Sequence, residues 1–293
     1  MTTNLLTLLE RKVLLADGAM GTQLQNRGLS SGQCPEQLNL TQPETVQNVY
    51  SDYFSAGSDI IETNTFGGSE SRLALHGMEN SVHEINKRAA ELAVEVRPPG
   101  KFVAGSVGPT GEVLHPLGTL SEEKANSMFS EQITALLEGG VDAIFIETMM
   151  ALEEIEIAIR AAKDLTSLPV SATMTFEIGK AGPRTAWGVS PGEMITRLSD
   201  SGADILGANC GQGFDEMAKI VEILRDNTDM LLLAQANAGL PVMKDGKSTY
   251  IESPEEMEPK AQKILESGVN IIGGCCGTGP EHIKILRKLV DNL

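Results

Sequence analysis

Basic and aromatic residues are both scarce in this sequence of 293 residues. Lysine and arginine number 23 against 40 aspartates and glutamates, which gives a formal net charge of −17 at pH 7. Such a charge repels phosphate backbones and anionic lipid surfaces, so we expect neither a nucleic acid nor a membrane partner. Aromatic residues make up only 4%, but the hydrophobic fraction of 41% is ordinary for a globular protein. The composition therefore predicts a folded chain.

Long apolar runs and cysteines are also few. No run of about 18 apolar residues occurs, and residues 1–10 lack the basic start and apolar stretch of a secretory signal. We therefore expect a cytoplasmic protein. Four cysteines stand at Cys34, Cys210, Cys275 and Cys276. Disulfides are not expected in a reducing cytosol, so metal binding or nucleophilic chemistry is the better question.

Eight apolar runs recur along the chain, and most of them end in a small or polar residue, as buried strands do. They cover residues 13–17, 60–66, 102–108, 143–148, 169–176, 204–210, 231–238 and 270–276. Amphipathic stretches lie between them, including 121–138, 152–165, 191–198 and 254–266. This alternation predicts a parallel sheet covered by helices, and eight units favour one α/β domain, a (β/α)8 TIM barrel over residues 1–293. An open dinucleotide-binding sheet is the weaker alternative, because no Gly-x-Gly-x-x-Gly follows the first run.

A faint repeat supports this topology. Segments of the form Gly-x-Asp or Gly-x-Asn occur at 57–59, 140–142, 202–204 and 268–270, each just before an apolar run. The glycine suits a helix end, where a left-handed residue is needed. Each segment therefore predicts the passage from a helix to a strand.

Three cysteines stand at the carboxyl ends of predicted strands, where a TIM barrel builds its active site. Cys210 ends the sixth run, and Cys275 and Cys276 end the eighth. A catalytic zinc typically takes three protein ligands and keeps a fourth position open. Adjacent cysteines on an extended strand face opposite ways, so both reach one metal only if the flanking glycines allow the chain to bend.

The alternative for each thiol alone is that it is a small buried apolar side chain. Three glycine-flanked thiols at two strand ends favour a metal instead. Three thiolates on a Zn²⁺ ion give the site a net charge of −1. Such a site is better suited to binding a substrate thiol than to hydrolysis, because coordination lowers the pKa of the thiol. The pattern therefore predicts the transfer of an alkyl group to the sulfur of a substrate. Cys34 lies in a loop between polar residues, and we expect it to be a bystander.

Other strand ends carry polar groups that suit an amino acid. Asp17 begins a turn of small residues whose N–H groups could hold a carboxylate, and Glu147 ends the fourth run. Two or three carboxylates facing one pocket could bind an ammonium group. The alternative is that these residues cap helices or complete hydrogen bonds at the barrel mouth. Ser106 ends the third run, and Asn237 ends the seventh as either a turn residue or a neighbour of the metal.

These strand-end motifs resemble the homocysteine S-methyltransferase family, in particular the homocysteine-binding module of cobalamin-dependent methionine synthase. The segments that carry the resemblance are Asp-Gly-Ala-Met-Gly-Thr at 17–22, Ile-Glu-Thr-Asn-Thr-Phe at 61–66, Phe-Ile-Glu-Thr-Met-Met at 145–150, Asn-Cys at 209–210, Asn-Ala-Gly-Leu-Pro at 237–241 and Gly-Gly-Cys-Cys-Gly-Thr at 273–278. The last is the most specific, and the segments span nearly the whole chain.

The resemblance implies roles for individual residues. One zinc ion per chain would be held by Cys210, Cys275 and Cys276, and it would activate the homocysteine thiol. Asp17 and Glu147 would be catalytic residues that bind the amino group of the substrate. Gly18 and Thr63 would bind its carboxylate end. Ser106 would line the pocket, and Asn237 would lie beside the zinc.

The methyl donor is less determined. The sequence holds no counterpart of the folate, corrinoid and reactivation modules of the cobalamin-dependent enzyme, so we expect a methyl-corrinoid carried by a separate protein. S-methylmethionine or a betaine-type donor is the alternative, although the expected aromatic-cage positions hold Gln33 or Cys34, Gly67 and Thr148. Trp187 is either a donor contact or loop packing. Methylation of another small thiol, and a structural zinc module without activity, remain as rival hypotheses.

Overall fold

The computed structural model describes residues 4–30, 32–244 and 247–293, and at its centre lie eight parallel strands. In chain order these barrel strands are β1 (Leu14–Leu15), β2 (Ile60–Glu62), β3 (Phe102–Val107), β4 (Ala143–Met149), β5 (Val170–Met174), β6 (Ile205–Cys210), β7 (Leu231–Ala236) and β8 (Ile271–Gly274). The ladder runs from β2 in order through β8 and ends with β1 beside β8. Asp59 bridges the remaining gap, because its main-chain N–H donates to Leu15 O at 2.7 Å. The predicted (β/α)8 TIM barrel is confirmed.

Twelve α-helices surround these strands within the described residues. They are α1 (Leu5–Leu9), α2 (Met20–Asn26), α3 (Leu38–Thr41), α4 (Pro43–Ala56), α5 (Glu70–Ala74), α6 (Val82–Glu95), α7 (Glu122–Glu138), α8 (Leu152–Leu165), α9 (Pro191–Asp200), α10 (Phe214–Asn227), α11 (Pro254–Glu266) and α12 (Pro280–Val290). Helix α4 and helices α6 to α12 each follow one barrel strand. None of the described helices is long and apolar enough to span a membrane.

Local sequence signals set several of these helix boundaries. Helices α9 and α11 both begin with a capping box and a proline at the first turn, in which Ser190 pairs with Glu193 and Ser253 pairs with Glu256. The sequence predicted helices over 121–138, 152–165, 191–198 and 254–266. All four are present, and their ends lie within two residues of these bounds. Two antiparallel hairpins extend from the loops after β5 and β7, at Glu177–Gly179 with Gly182–Arg184 and at Val242–Lys244 with Lys247–Thr249.

The core has an inner and an outer layer. Inside the barrel, strand residues such as Phe102, Phe145 and Leu233 form one buried cluster. Leu5 and Leu9 of α1 belong to the same cluster, so this short helix covers the amino-terminal end of the barrel. A larger cluster fills the space between the strands and the outer helices. Because α1 covers one end, a ligand site is left for the carboxyl ends of the strands.

The Gly-x-Asp and Gly-x-Asn repeat has a structural role that recurs around the barrel. Each glycine has a positive φ of 85° to 115° at a helix end, as predicted. Each following Asp or Asn oxygen then accepts a hydrogen bond of 2.8 to 3.1 Å from a main-chain N–H of the preceding strand. We call these four contacts strand clamps; the pairs are Asp59 with Leu15, Asp142 with Val103, Asp204 with Val170, and Asn270 with Leu232. A lysine or arginine contacts each clamp residue as well.

Candidate active site

A cavity of about 440 Å³ lies at the carboxyl ends of the barrel strands. Eight of the nine site residues predicted from the sequence line it, namely Asp17, Gly18, Thr63, Ser106, Glu147, Cys210, Cys275 and Cys276. Asn237 is the exception and is not among the residues that line the cavity. The strands therefore bring together residues that are up to 259 positions apart in sequence, from Asp17 to Cys276.

The thiols of Cys210, Cys275 and Cys276 form a compact group, which we call the cysteine cluster. Their sulfur atoms all lie within 4.8 Å of one another, so the three residues could hold one metal ion. Among the described residues, no His, Cys, Asp or Glu supplies a fourth ligand to this group. Cys34 does not take part, as expected from its position in the sequence.

A bend in the chain makes this meeting of adjacent cysteines possible. The sequence predicted an eighth strand over 270–276, but β8 ends at Gly274. The chain then turns, with Cys275 N–H donating to Ala236 O at 2.7 Å and Cys276 O accepting from Ala238 N–H at 2.9 Å. Gly277 has a φ of +83°, and a Cβ there would lie 2.2 Å from Tyr250 Cβ. The glycine thus permits both the turn and the close approach of the following loop.

Hydrogen bonds within the cysteine cluster shift the pKa values of its three thiols in opposite directions. The Cys275 and Cys276 thiols stabilise a thiolate at Cys210 and lower its pKa to about 3. The contact with Cys210 raises the pKa of Cys276 to about 11 and that of Cys275 well above its usual value. The cluster therefore carries one negative charge readily, and further ionisation requires a compensating cation.

Asn237 lies directly against the cysteine cluster. Its Nδ2 donates to Gly211 O at 2.6 Å and lies 3.5 Å from Cys210 Sγ. Its Oδ1 is buried and has no hydrogen-bond partner among the described residues. Of the two roles weighed from the sequence, the structure supports that of a neighbour of the cluster.

Besides Glu36, three carboxyl groups line the same cavity, from Asp17, Glu62 and Glu147; Asp17 and Glu62 are buried, and Glu147 is partly exposed. Burial raises the pKa of all three, and the charge of Glu147 raises those of Asp17 and Glu62 further. Asp17 Oδ2 accepts from Glu62 N–H at 2.9 Å, and Gln235 Nε2 donates to Glu62 Oε1 at 2.7 Å. None of the described residues that line the cavity is Lys, Arg or His. The cavity is therefore suited to a ligand that carries a positive charge.

Ser106, Thr63 and Gly18 support the carboxyl groups and the cavity wall. Ser106 Oγ donates to Glu147 Oε1 at 2.5 Å, while its N–H donates to Thr63 Oγ1 at 3.0 Å. A Cβ on Gly18 would lie 2.7 Å from Thr278 Oγ1, so only glycine fits between the first strand end and the last. The predicted second strand, 60–66, ends already at Glu62. The residues after it leave the sheet and line the cavity, as Thr63 does.

Sequence reasoning missed some residues of the cavity as site residues, above all Glu62 and Asn209. Both stand at strand ends and inside motifs that carried the family resemblance, which was the available signal.

The lining contains one aromatic side chain among the described residues, Phe66, so an aromatic cage is not present there. Trp187 is half exposed and does not line the cavity. Cys34 is buried, and its Sγ lies 3.1 Å from Glu36 Oε2.

Comparisons with known proteins agree with this geometry. Methionine synthases of Mycobacterium tuberculosis and Mycobacterium leprae are 33% and 32% identical over 99% and 98% of this chain. The chain spans only about a quarter of their length, 26% and 25%. The metallated form of the homocysteine methyltransferase MmuM from Escherichia coli has a similar fold, with a TM-score of 0.80 and 22% identity over 96% of this chain and 98% of that one. A methyltransferase from Methanosarcina mazei gives a TM-score of 0.63 at 12% identity, covering 99% of this chain and 98% of that one.

The sequence profile of one family, described as homocysteine S-methyltransferase, matches residues 14–290. This match covers all eight barrel strands and every residue of the cysteine cluster. The chain therefore belongs to the homocysteine S-methyltransferase family.

Proposed function

We propose that this chain transfers a methyl group to the thiol of homocysteine, giving methionine, with one zinc ion held by Cys210, Cys275 and Cys276. The observation that carries the proposal is the presence of three thiols and four carboxyl groups in one cavity. The thiols provide a place for a metal and a substrate sulfur. The carboxyl groups provide a place for an ammonium group, so together they match the two reactive ends of a short thiol amino acid.

The cysteine cluster fits zinc by its donor atoms and by its surroundings. Thiolates bind zinc at about 2.3 Å, and sulfurs that already lie within 4.8 Å of one another need little rearrangement to share an ion. A cation bound beside Cys210 would also give a partner to the buried Oδ1 of Asn237, which accepts no hydrogen bond from the described residues. When bound, zinc supplies the positive charge that lowers the pKa of the substrate thiol and keeps it a nucleophilic thiolate. Three protein ligands, rather than four, are typical of a catalytic zinc and argue against a purely structural module.

Glu147 and Asp17 bind the ammonium group in this proposal. Glu147 accepts hydrogen bonds from Ser106 and Asn209, and Asp17 accepts the N–H of Glu62, so both carboxyl groups are held in place before substrate arrives. An ammonium group would balance the charge of these carboxylates. Burial raises the pKa of both groups, and the charge of Glu147 raises that of Asp17 further. An acceptor thiol without an amino group would leave these carboxyl groups unpaired, which disfavours other small thiols.

The carboxylate end of the substrate is assigned to Gly18 and Thr63, which line the cavity. Ser106 contributes by orienting Glu147, and Asn237 by contacting Cys210. In the transfer, the substrate sulfur forms a bond to the methyl carbon while the bond between that carbon and the donor breaks. The thiol proton leaves to solvent when the substrate binds.

For the donor we propose a methyl-corrinoid carried by a partner protein. The similarity to two methionine synthases over nearly the whole of this chain supports this choice. A betaine-type donor is disfavoured, because a quaternary ammonium group is bound by several aromatic faces and the described lining offers Phe66 alone. A sulfonium donor such as S-methylmethionine is the alternative.

Zinc analysis combined with a donor assay tests this function. Protein purified under reducing conditions is expected to contain one zinc per chain and to methylate homocysteine with methylcobalamin. Cys210→Ala and Cys275→Ala should lose both zinc and turnover while circular dichroism shows an intact fold. Cys34→Ala is the matched control and should retain both. Stoichiometric zinc in the first two variants would overturn the metal assignment, and turnover with S-methylmethionine alone would replace the corrinoid by a sulfonium donor.

A further inference from the structure

We propose that Asn209 is a positioning residue that fixes Glu147 and Cys210 relative to each other, and so sets the length of the thiol amino acid that the cavity accepts. The inference rests on the proposed function, in which Glu147 binds the substrate ammonium and Cys210 belongs to the thiol-binding cluster. Asn209 itself needs no contact with the reacting sulfur.

The Asn209 side chain is fully engaged at the junction of three strands. Its Oδ1 accepts from Thr148 N–H at 2.7 Å and from Thr173 Oγ1 at 2.8 Å. Its Nδ2 donates to Thr148 Oγ1 at 2.6 Å and to Glu147 Oε2 at 3.1 Å. Asn209 is only 1% exposed, so water does not substitute for these partners. Rotating the amide by half a turn would set its NH2 group against the Thr148 N–H, which fixes its orientation.

Backbone strain shows what this network holds in place. Thr148 and Cys210 are the two non-glycine residues of the described chain with a positive φ, at 59° and 64°. A branched residue such as threonine rarely adopts this conformation, and it persists only where the surroundings enforce it. Asn209 binds both the N–H and the hydroxyl of Thr148, and it directly precedes Cys210 in the chain. One side chain therefore joins the two strained residues.

The position of these residues connects the network to specificity. Thr148 follows Glu147 directly, so its strained backbone determines where the carboxyl group enters the cavity. Cys210 contributes one sulfur of the cluster from the neighbouring side. Homocysteine and cysteine differ by one methylene between the nitrogen and the sulfur. A fixed separation between the two binding groups therefore favours one chain length, and discrimination by one methylene is about ten- to 200-fold in enzymes.

The experiment measures binding of homocysteine, and of cysteine as the shorter competitor, to zinc-loaded protein by titration calorimetry. Asn209→Asp keeps the acceptor for Thr148 N–H but directs a carboxylate at Glu147 instead of an amide donor. We expect the homocysteine Kd to rise about tenfold and the preference over cysteine to shrink, with zinc per chain unchanged. Wild-type Kd and wild-type preference in this variant would overturn the proposal.

A second pair of variants separates positioning from general destabilisation. Asn209→Ala should weaken homocysteine binding, and adding Thr148→Gly should restore part of it, because glycine adopts a positive φ without support. The absence of any recovery would contradict the proposal. Asn270→Ala removes a strand clamp at the opposite end of the barrel and should lower the unfolding temperature without changing the homocysteine Kd. An equal loss of binding in that control would show a merely structural effect.

The same titration also distinguishes this proposal from the function on which it rests. If zinc-loaded wild-type protein fails to bind homocysteine, the proposed function is wrong before any variant is compared. If the wild type binds homocysteine and the Asn209 variants bind it equally well, only the positioning role is wrong.

Discussion

Glu147 receives hydrogen bonds from Ser106, Thr148 and Asn209 inside a cavity whose described lining has no positively charged side chain. Three donors hold the carboxyl group, but none of them cancels its charge. Asp17 and Glu62 in the same cavity add to this imbalance. At the scale of single residues, the cavity therefore holds several carboxyl groups without a cationic side chain, and the ammonium group of the proposed substrate would balance their charge.

Removing the charge of Glu147 should impair substrate binding more than metal binding. Glu147→Gln keeps the size of the side chain but loses the ionic contact, so the KM for homocysteine should rise about ten- to 100-fold while zinc content stays constant. Steady-state kinetics and metal analysis measure the two effects. Glu154→Gln serves as a control, because Glu154 is also buried but bonds to Thr110 away from the cavity lining. An unchanged KM in Glu147→Gln would remove this residue from the substrate site.

Glu62 should make the fold less stable as the pH rises. Burial, and then the charges of Glu147 and Asp17, raise its pKa well above the usual value. Below the ordinary carboxyl pKa of about 4.3, the group is protonated in both the folded and the unfolded chain, so it does not lower the free energy of unfolding. Between that value and the raised pKa, the unfolded chain ionises more readily, so stability falls with increasing pH.

Glu62→Gln removes this cost. The variant should unfold at a higher temperature than the wild type at pH 8, and the difference should narrow as the pH falls toward 5. Thermal unfolding of metal-free protein at several pH values provides the measurement. Glu131→Gln, an exposed position on α7, is the control and should show no such trend. A difference that grows toward acid pH would reverse the sign and refute the explanation.

The chemistry of individual residues decided what could be predicted from the sequence. Thiols are rare and have few uses, so Cys210, Cys275 and Cys276 were recognisable at their strand ends. Polar residues at strand ends are common, and apart from the Asn-Cys motif at 209–210 nothing in the sequence distinguishes Asn209 from a turn residue. Its importance comes from contacts with Glu147 and Thr148 some 60 residues away.

At the scale of elements, the predicted runs located every barrel strand but extended several of them too far, including β2 and β8. Strand β2 ends at Glu62 and β8 ends at Gly274, although the predicted strands continue to residues 66 and 276. Where a strand leaves the sheet depends on its neighbours, and hydrophobicity does not record this. In both cases the residues past the true end line the cavity, so the errors fall where the site is formed.

The strand clamps should contribute measurably to stability. Asp142→Ala leaves the Val103 N–H without its acceptor, and we expect a loss of about 1–3 kcal/mol in the free energy of unfolding. Asp142→Asn should cost less, because Asn270 performs the same task in another clamp. Urea denaturation measures both. The exposed Asp226 gives a control, for which Asp226→Ala should change stability by less than about 0.5 kcal/mol. Equal effects of the Asp142→Ala and Asp226→Ala changes would show that the clamp is unimportant.

At the scale of the whole molecule, the alternation of strands and helices predicted the barrel. The barrel in turn predicted which residues lie close together at the ends of its strands. The four Gly-x-Asp and Gly-x-Asn segments precede every second barrel strand, and the structure gives this repeat a physical basis in the strand clamps. The covering of the amino-terminal end by α1 was not predictable, because a five-residue apolar helix has no distinctive pattern. It directs ligands to the opposite end, where the cysteine cluster lies.

Zinc K-edge X-ray absorption before and after addition of homocysteine tests the central claim most directly, because it counts the sulfur atoms around the metal. The three cysteines predict three sulfurs at about 2.3 Å in the free protein and four when homocysteine is bound. A spectrum with fewer than three sulfurs, or a sulfur count that homocysteine leaves unchanged, would contradict it.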